Sequence, residues 1–217
     1  GSAFLALERV STVARDVRDL NAGQLRIVAP PSLAEGPLVG IIGTFIKKHP
    51  NVRVVLDSNS RPTAMNMIAT RAADCGFGKL PLEHPGIHKR PLVVNETTCV
   101  VPRGHRLARK RTVSATDLAG EELIMIGRGS DTRLRIEAAL RAAGVVPRIR
   151  LETHNVGAAC AFVAAGVGIT LVNDMLARVY CQREIELRPF RPRIIHEYMF
   201  MTSSGASASP LTLAFYA

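Results

Sequence analysis

Leu25-Arg26-Ile27-Val28-Ala29-Pro30-Pro31-Ser32 is the stretch whose reading decides the fold. Residues 25–29 are aliphatic and β-branched enough for a buried strand, and the two prolines stop it. Ser32 then offers an N-cap for a helix expected over about 33–48. Pro50 follows that helix, and residues 52–56 read as a second strand. Asn59-Ser60-Arg61-Pro62 opens a second helix, with Ser60 or Arg61 at the cap and Pro62 in the first turn, running to about Ala73. Cys75-Gly76-Phe77-Gly78 is a short apolar strand, and 87–94 and 98–101 are further strand-like runs.

The same grammar recurs downstream. Residues 123–126 form a strand, Gly127-Arg128-Gly129-Ser130 a loop, and 131–143 an amphipathic helix closed by Gly144. A strand over 148–152, a helix over 155–165 and a strand over 168–172 follow. Strand–helix alternation implies parallel strands with helices across their faces. The expectation is an α/β protein of two Rossmann-like lobes. A last strand-like run at 194–201 would return the chain to the first lobe and make a two-strand hinge that permits opening and closing. Ahead of all this, Phe4, Leu7, Val10, Val13 or Ala14, Val17 and Leu20 recur at helical spacing, and Asn21-Ala22-Gly23 ends the pattern. Gly1-Ser2 looks like a remnant of tag removal, so the sequence reads as a piece excised from a longer protein.

Bulk composition narrows the class. Of the 217 residues 47% are hydrophobic and 21% charged, as in ordinary globular proteins. No apolar run is long enough for a membrane-spanning helix, and the start lacks the pattern of a signal peptide. Cys75, Cys99 and Cys160 sit in apolar segments and read as buried free thiols. The net charge of +10 invites a nucleic-acid reading, but the cations are scattered. Only 106–111 clusters, without interleaved aromatics, and a solvated surface run explains it as well.

In open parallel sheets, ligands sit beyond the carboxyl ends of the strands. Those ends carry Ser32, Ser60-Arg61 and Lys79 in the first half, and Arg128 to Arg133, His154-Asn155 and Asn173-Asp174 in the second. Several lie at helix N-termini, where free N–H groups and the dipole favour an anion. Capping and surface charge are the competing explanation for each residue singly; the set converging on one edge favours an acidic small molecule. Gly127-Arg128-Gly129-Ser130-Asp131-Thr132 nearly matches a dinucleotide fingerprint, with Glu152 where the ribose acid belongs. Thr132 replaces the third glycine, so an anion-binding turn is expected rather than a nucleotide site. His84 and His88 flank Pro85-Gly86, which forbids the helix a paired-histidine metal site needs. No nucleophile elbow or phosphate loop occurs, and no metal, cofactor or catalytic residue is expected.

Several segments together resemble the effector-binding domain of the LysR-type transcriptional regulators. These are Leu25-Arg26-Ile27 with Ser32-Leu33 and the helix ending at His49-Pro50, Ala73-Asp74-Cys75-Gly76-Phe77-Gly78, and Val101-Pro102-Arg103-Gly104-His105-Arg106-Leu107, with Arg106 where the family has proline. Thr116-Asp117-Leu118-Ala119-Gly120-Glu121 and Val163-Ala164-Ala165-Gly166-Val167-Gly168-Ile169 complete the series. The resemblance covers about 22–217, with 4–21 resembling the end of the family's linker helix. It implies a fold of the periplasmic-binding-protein type (type II), with lobe I at 23–97 and 194–217 and lobe II at 98–193. It implies a cytoplasmic sensor, not an enzyme. It further implies a homodimer or homotetramer that reaches DNA only through a winged helix-turn-helix preceding this sequence. Carried over by position, the effector contacts would be Ser32, Leu33, Arg61, Lys79, Ser130, Thr132, Asn155 and Val156. Arg61 and Lys79 would meet a carboxylate, and Thr132 and Asn155 would read the remainder of an amino-acid-like or aromatic acid. The alternatives are a periplasmic-type solute-binding protein, a lyase on the same scaffold, and a nucleic-acid binder using the basic surface.

Overall fold

The computed structural model describes residues 23–181 and 183–217; the helix expected over 4–21 lies outside them. The chain divides into two compact units. The first holds the described residues up to Gly78 together with Leu82–Pro91 and Met199–Ala217; the second holds Lys79–Pro81 and Leu92–Tyr198.

In chain order the elements are β1 (Gly23–Ala29), α1 (Pro31–Ala34), α2 (Pro37–Lys48), β2 (Val52–Ser58), α3 (Arg61–Ala69), β3 (Cys75–Lys79) and β4 (Ile87–Pro102). Next come β5 (Val113–Ser114), β6 (Glu122–Ile126), α4 (Asp131–Ala142), β7 (Arg148–Thr153), α5 (Val156–Ala164), β8 (Ile169–Asn173), α6 (Asp174–Val179), β9 (Ile185–Arg191), β10 (Ile195–Ser203) and α7 (Pro210–Tyr216).

In the first unit β1 lies between β2 and β3, parallel to both, with Ile27 opposite Leu56 on one side and Cys75 on the other. Ile27, Val28 and Ala29 are all sealed from solvent, as expected of a strand covered on both faces. The Asp74 carboxylate fixes this pairing. It accepts from the Arg26 backbone N–H at 2.7 Å and pairs with the Arg26 guanidinium at 3.1 Å, while the Asp74 N–H donates to the Arg26 carbonyl at 2.8 Å. Gly76 is required by proximity, since a Cβ there would stand 2.6 Å from the Val28 carbonyl oxygen and from Ile68 Cδ1. Phe215 of α7 lies edge-on to Phe45 of α2 and Phe77 of β3, at centroid distances of 5.1 and 6.2 Å.

The second unit is built around β6, parallel to β7 and to β8, with β4 antiparallel to β8 and to β9. Cys99, Leu123, Ile136, Leu140, Ile169, Leu171 and Phe190 form its core. The sequence Gly166-Val167-Gly168 has two separate demands. Gly166 takes φ +77°, open to glycine at little cost, and a Cβ on Gly168 would lie 2.4 Å from the Glu122 carbonyl oxygen of β6. Two of the resembling segments are joined here by charge. Glu121 accepts from Arg106 at 2.6 Å and faces His105 at 3.2 Å, and Lys110 meets Asp117 at 2.5 Å. Burial opposes ionisation of Asp117, but Lys110 and the Ser114 N–H and hydroxyl outweigh it and hold its pKa at about 2. The basic run at 106–111 is therefore partly neutralised rather than offered whole to phosphates.

The expected α/β architecture and its parallel strands are present, with local differences. The helix expected over 33–48 is two helices, because Pro37 has no N–H to continue the ladder and biases Gly36 away from the helical region. Ser32 is not its N-cap; Pro30 is, and its carbonyl accepts from Leu33 and Ala34 at 3.0 Å each. The second helix stops at Ala69 rather than Ala73, since Arg71 turns to φ +61°. The two runs at 87–94 and 98–101 are one strand, because the polar residues between them are paired within the fold. Strand β9 and helices α6 and α7 have no counterpart among the expected elements. Cys75, Cys99 and Cys160 are buried free thiols as expected, and burial pushes the Cys160 pKa up to about 12.

Gly168→Ala should destabilise the domain by about 1–3 kcal/mol, because the clash is with backbone rather than with a movable side chain. Gly205→Ala, where the nearest atom is 3.7 Å away, should cost far less. Urea unfolding followed by circular dichroism separates the two.

Candidate functional site

The polar residues of the second unit emerge where its buried strands end. After β6, Gly127 and Gly129 take φ of +65° and +77°, which turns the chain sharply into α4. Ser130 caps that helix, its Oγ accepting from the Arg133 N–H at 3.1 Å. Thr132, in the first turn, is buried, and its hydroxyl accepts a hydrogen bond from the Lys79 ammonium. Lys79 ends β3 and belongs to this unit, so a cation stands at the positive end of a 12-residue helix. Asp131 shares that turn, but its carboxylate is paired with Arg135 at 2.8 Å. An ammonium beside helix N–H groups is a place for an anion.

A second polar row crosses the sheet beside it. Thr97 of β4 is the cross-strand partner of Asn173, the last residue of β8. The Thr97 hydroxyl is 2.8 Å from Nε2 of His196 in β10, and the Thr97 N–H donates to the Ile194 carbonyl at 2.9 Å. Thr97, Asn173 and His196 are exposed by only 2%, 4% and 2%. Asn173 Oδ1 accepts from the Leu176 N–H at 3.1 Å and caps α6. Among the described residues, Asn173 Nδ2 and His196 Nδ1 are buried without a hydrogen-bond partner. Burial, reinforced by the charges of Lys79 and Arg135, brings the His196 pKa down to about 3, so the imidazole is neutral.

Of the sequence-derived candidates, Lys79 and Thr132 are brought into contact. Ser130 and Asn155 act as caps, Asn155 Oδ1 accepting from the Ala158 N–H at 3.0 Å, so the capping explanation describes what those oxygens do. Val156 is buried in the first turn of α5. In the first unit Ser32 is half-buried within α1, Leu33 is buried, and Arg61 is exposed at the start of α3. Sequence reasoning misses Thr97 and His196: nothing in an apolar run distinguishes a lone histidine with a partner from a packed one. The fingerprint-like turn is not a nucleotide site in its chemistry, because Glu152 is taken by Arg128 and, at 3.2 Å, by the buried Arg133, which also meets Glu137 at 2.5 Å. His84 belongs to a turn, its Nδ1 accepting from the Gly86 N–H at 3.0 Å.

The depressed pKa of His196 has a consequence for stability. The unfolded chain protonates this histidine near pH 6.5, while the folded protein leaves it neutral to about pH 3. Between those values the unfolded state binds the extra proton, so stability falls as pH falls, by at most about 1.4 kcal/mol per pH unit from this group. Urea unfolding between pH 7 and 4 should show a shallower decline in His196→Gln than in the parent.

The family model described as the LysR substrate binding domain matches residues 18–217. The chain is similar to the regulatory protein NocR of Agrobacterium tumefaciens, with 29% identity over 99% of this chain and 71% of that protein. It is similar to the octopine catabolism/uptake operon regulatory protein OccR of Rhizobium meliloti, with 30% identity over 97% of this chain and 69% of that one. The fold is shared with the BenM effector binding domain, solved with its effector benzoate, at a TM-score of 0.74 and 22% identity, covering 89% of each chain. These relatives are transcriptional regulators, a family that is not enzymatic. The chain belongs to the LysR-type transcriptional regulators, as their substrate-binding domain with its two-lobed, periplasmic-binding-protein-like α/β fold.

Proposed function

We propose that this domain senses a small acid and that Lys79 receives the acid group. The observation that carries the reading is the Lys79 ammonium bonded to Thr132 in the first turn of α4, where cation and helix dipole act in the same sense on an anion. The BenM domain, which shares the fold, holds benzoate, itself a carboxylate. A charge-assisted hydrogen bond contributes about 1.5–3 kcal/mol, which suits an effector that must be both bound and released. The remaining contacts expected by position are Ser32, Leu33, Arg61, Ser130, Asn155 and Val156.

In this reading the effector alters transcription by binding one form of the regulator better than another, which shifts the population by the difference in affinity. Reversing a 1:99 ratio takes about 5.5 kcal/mol of that difference, within reach of two or three charge-assisted bonds. The regulator acts as a homodimer or homotetramer in the cytoplasm, and operator DNA is read by a separate helix-turn-helix domain. Among the described residues no helix is long and apolar enough to cross a membrane.

The test is a thermal-shift screen of carboxylates, amino acids and aromatic acids, since a ligand that binds only the folded state raises the melting temperature. Calorimetry on the best acid should then show at least tenfold weaker binding for Lys79→Ala and a smaller loss for Thr132→Val. Unchanged affinity in Lys79→Ala refutes the assignment of the acid group.

A further inference from the structure

Among the described residues, two buried polar atoms on either side of Thr97 have no hydrogen-bond partner. Asn173 Oδ1 is committed to the Leu176 N–H, which fixes the amide's orientation and leaves the Nδ2 hydrogens without a partner among the described residues. On the other side, His196 Nε2 shares a proton with the Thr97 hydroxyl. When Thr97 donates that proton, the neutral imidazole carries its own hydrogen on Nδ1, the second open atom. Leaving a buried donor unmet is costly, so two in one row call for acceptors. The row is bounded by charge: Lys79 and Arg135 both act electrostatically on His196. Both open atoms and Lys79 belong to the second unit. Asn173 and His196 each lie one strand from Thr97, on opposite sides of it.

We propose that Asn173 and His196 are specificity-determining residues that donate hydrogen bonds to a second oxygen function of the effector, beyond the acid group at Lys79. The preferred class is then dicarboxylic or oxo acids over monocarboxylic acids with plain alkyl chains. This rests on the reading of Lys79 as the anion-binding residue. A ligand lacking the second oxygen leaves both donors dry and unpaired, and sites built to hydrogen-bond a group reject analogues without it strongly.

The experiment uses matched pairs on the whole domain by calorimetry: succinate against butyrate, and 2-oxoglutarate against pentanoate. The oxygen-bearing member of the succinate pair, and of 2-oxoglutarate against pentanoate, should bind at least tenfold more tightly. Asn173→Asp keeps the cap acceptor for Leu176 but replaces the donating amide with an anion, and it should abolish that preference. His196→Phe, which fills the volume without a donor, should reduce the preference. Unfolding curves for both variants establish that they fold, and if Asn173→Asp does not, His196→Phe decides. Equal binding within the pairs, or an unchanged preference in the folded variants, overturns the proposal and leaves the two atoms to ordered water. If the pairs are indistinguishable but Lys79→Ala still weakens acids, only this inference falls. If no acid binds at all, the sensing of an acid at Lys79 falls with it.

Discussion

Burial of both faces of the short parallel strands is the constraint on which the rest depends. Residues 27–29 of β1 and all of β8 are buried, and the backbones approach neighbours closely enough that only glycine fits at 76 and 168. A strand sealed in this way cannot present chemistry along its length. Many polar groups emerge where the strands end, and there they meet the first turns of helices α4, α5 and α6, whose N–H groups need acceptors. Ser130, Asn155 and Asn173 meet that need, and Lys79 and Thr132 stand beside it. The sheet's packing thus produces an edge rich in donors and positive charge.

The same packing explains the charges that do not serve a ligand. Arg133 is buried, yet it meets two carboxylates, and Glu152 is shared between it and Arg128. Glu121 and Asp117 likewise take up Arg106 and Lys110. A chain of net charge +10 therefore commits several of its cations to structure. Lys79, by contrast, donates to a hydroxyl at a helix start.

Where buried polar atoms lack partners, stability has been given up. His196 is held neutral by its surroundings and Asn173 uses only one side of its amide. The row Asn173–Thr97–His196 spans three strands from distant parts of the sequence, and each member alone is an ordinary strand residue. Only its assembly around one hydroxyl gives it a chemical character.

The sequence by itself determined the α/β class, the strand–helix alternation, the helix starts at Ser130 and Asn155, the left-handed glycine after α4, and the family. All of these are local: a hydrophobic period, a cap or a turn is written in neighbouring residues. The pairing of Lys79 with Thr132 was legible only as positions at strand ends. Tertiary structure alone decided that Lys79 sides with the second unit, that Glu152 is engaged by arginines, that the strand over 87–102 is continuous, and that His196 and Asn173 each keep a buried nitrogen without a partner among the described residues. Those facts depend on which side chains meet across strands far apart in the chain, and on how much water burial removes, neither of which has a period or a motif to betray it.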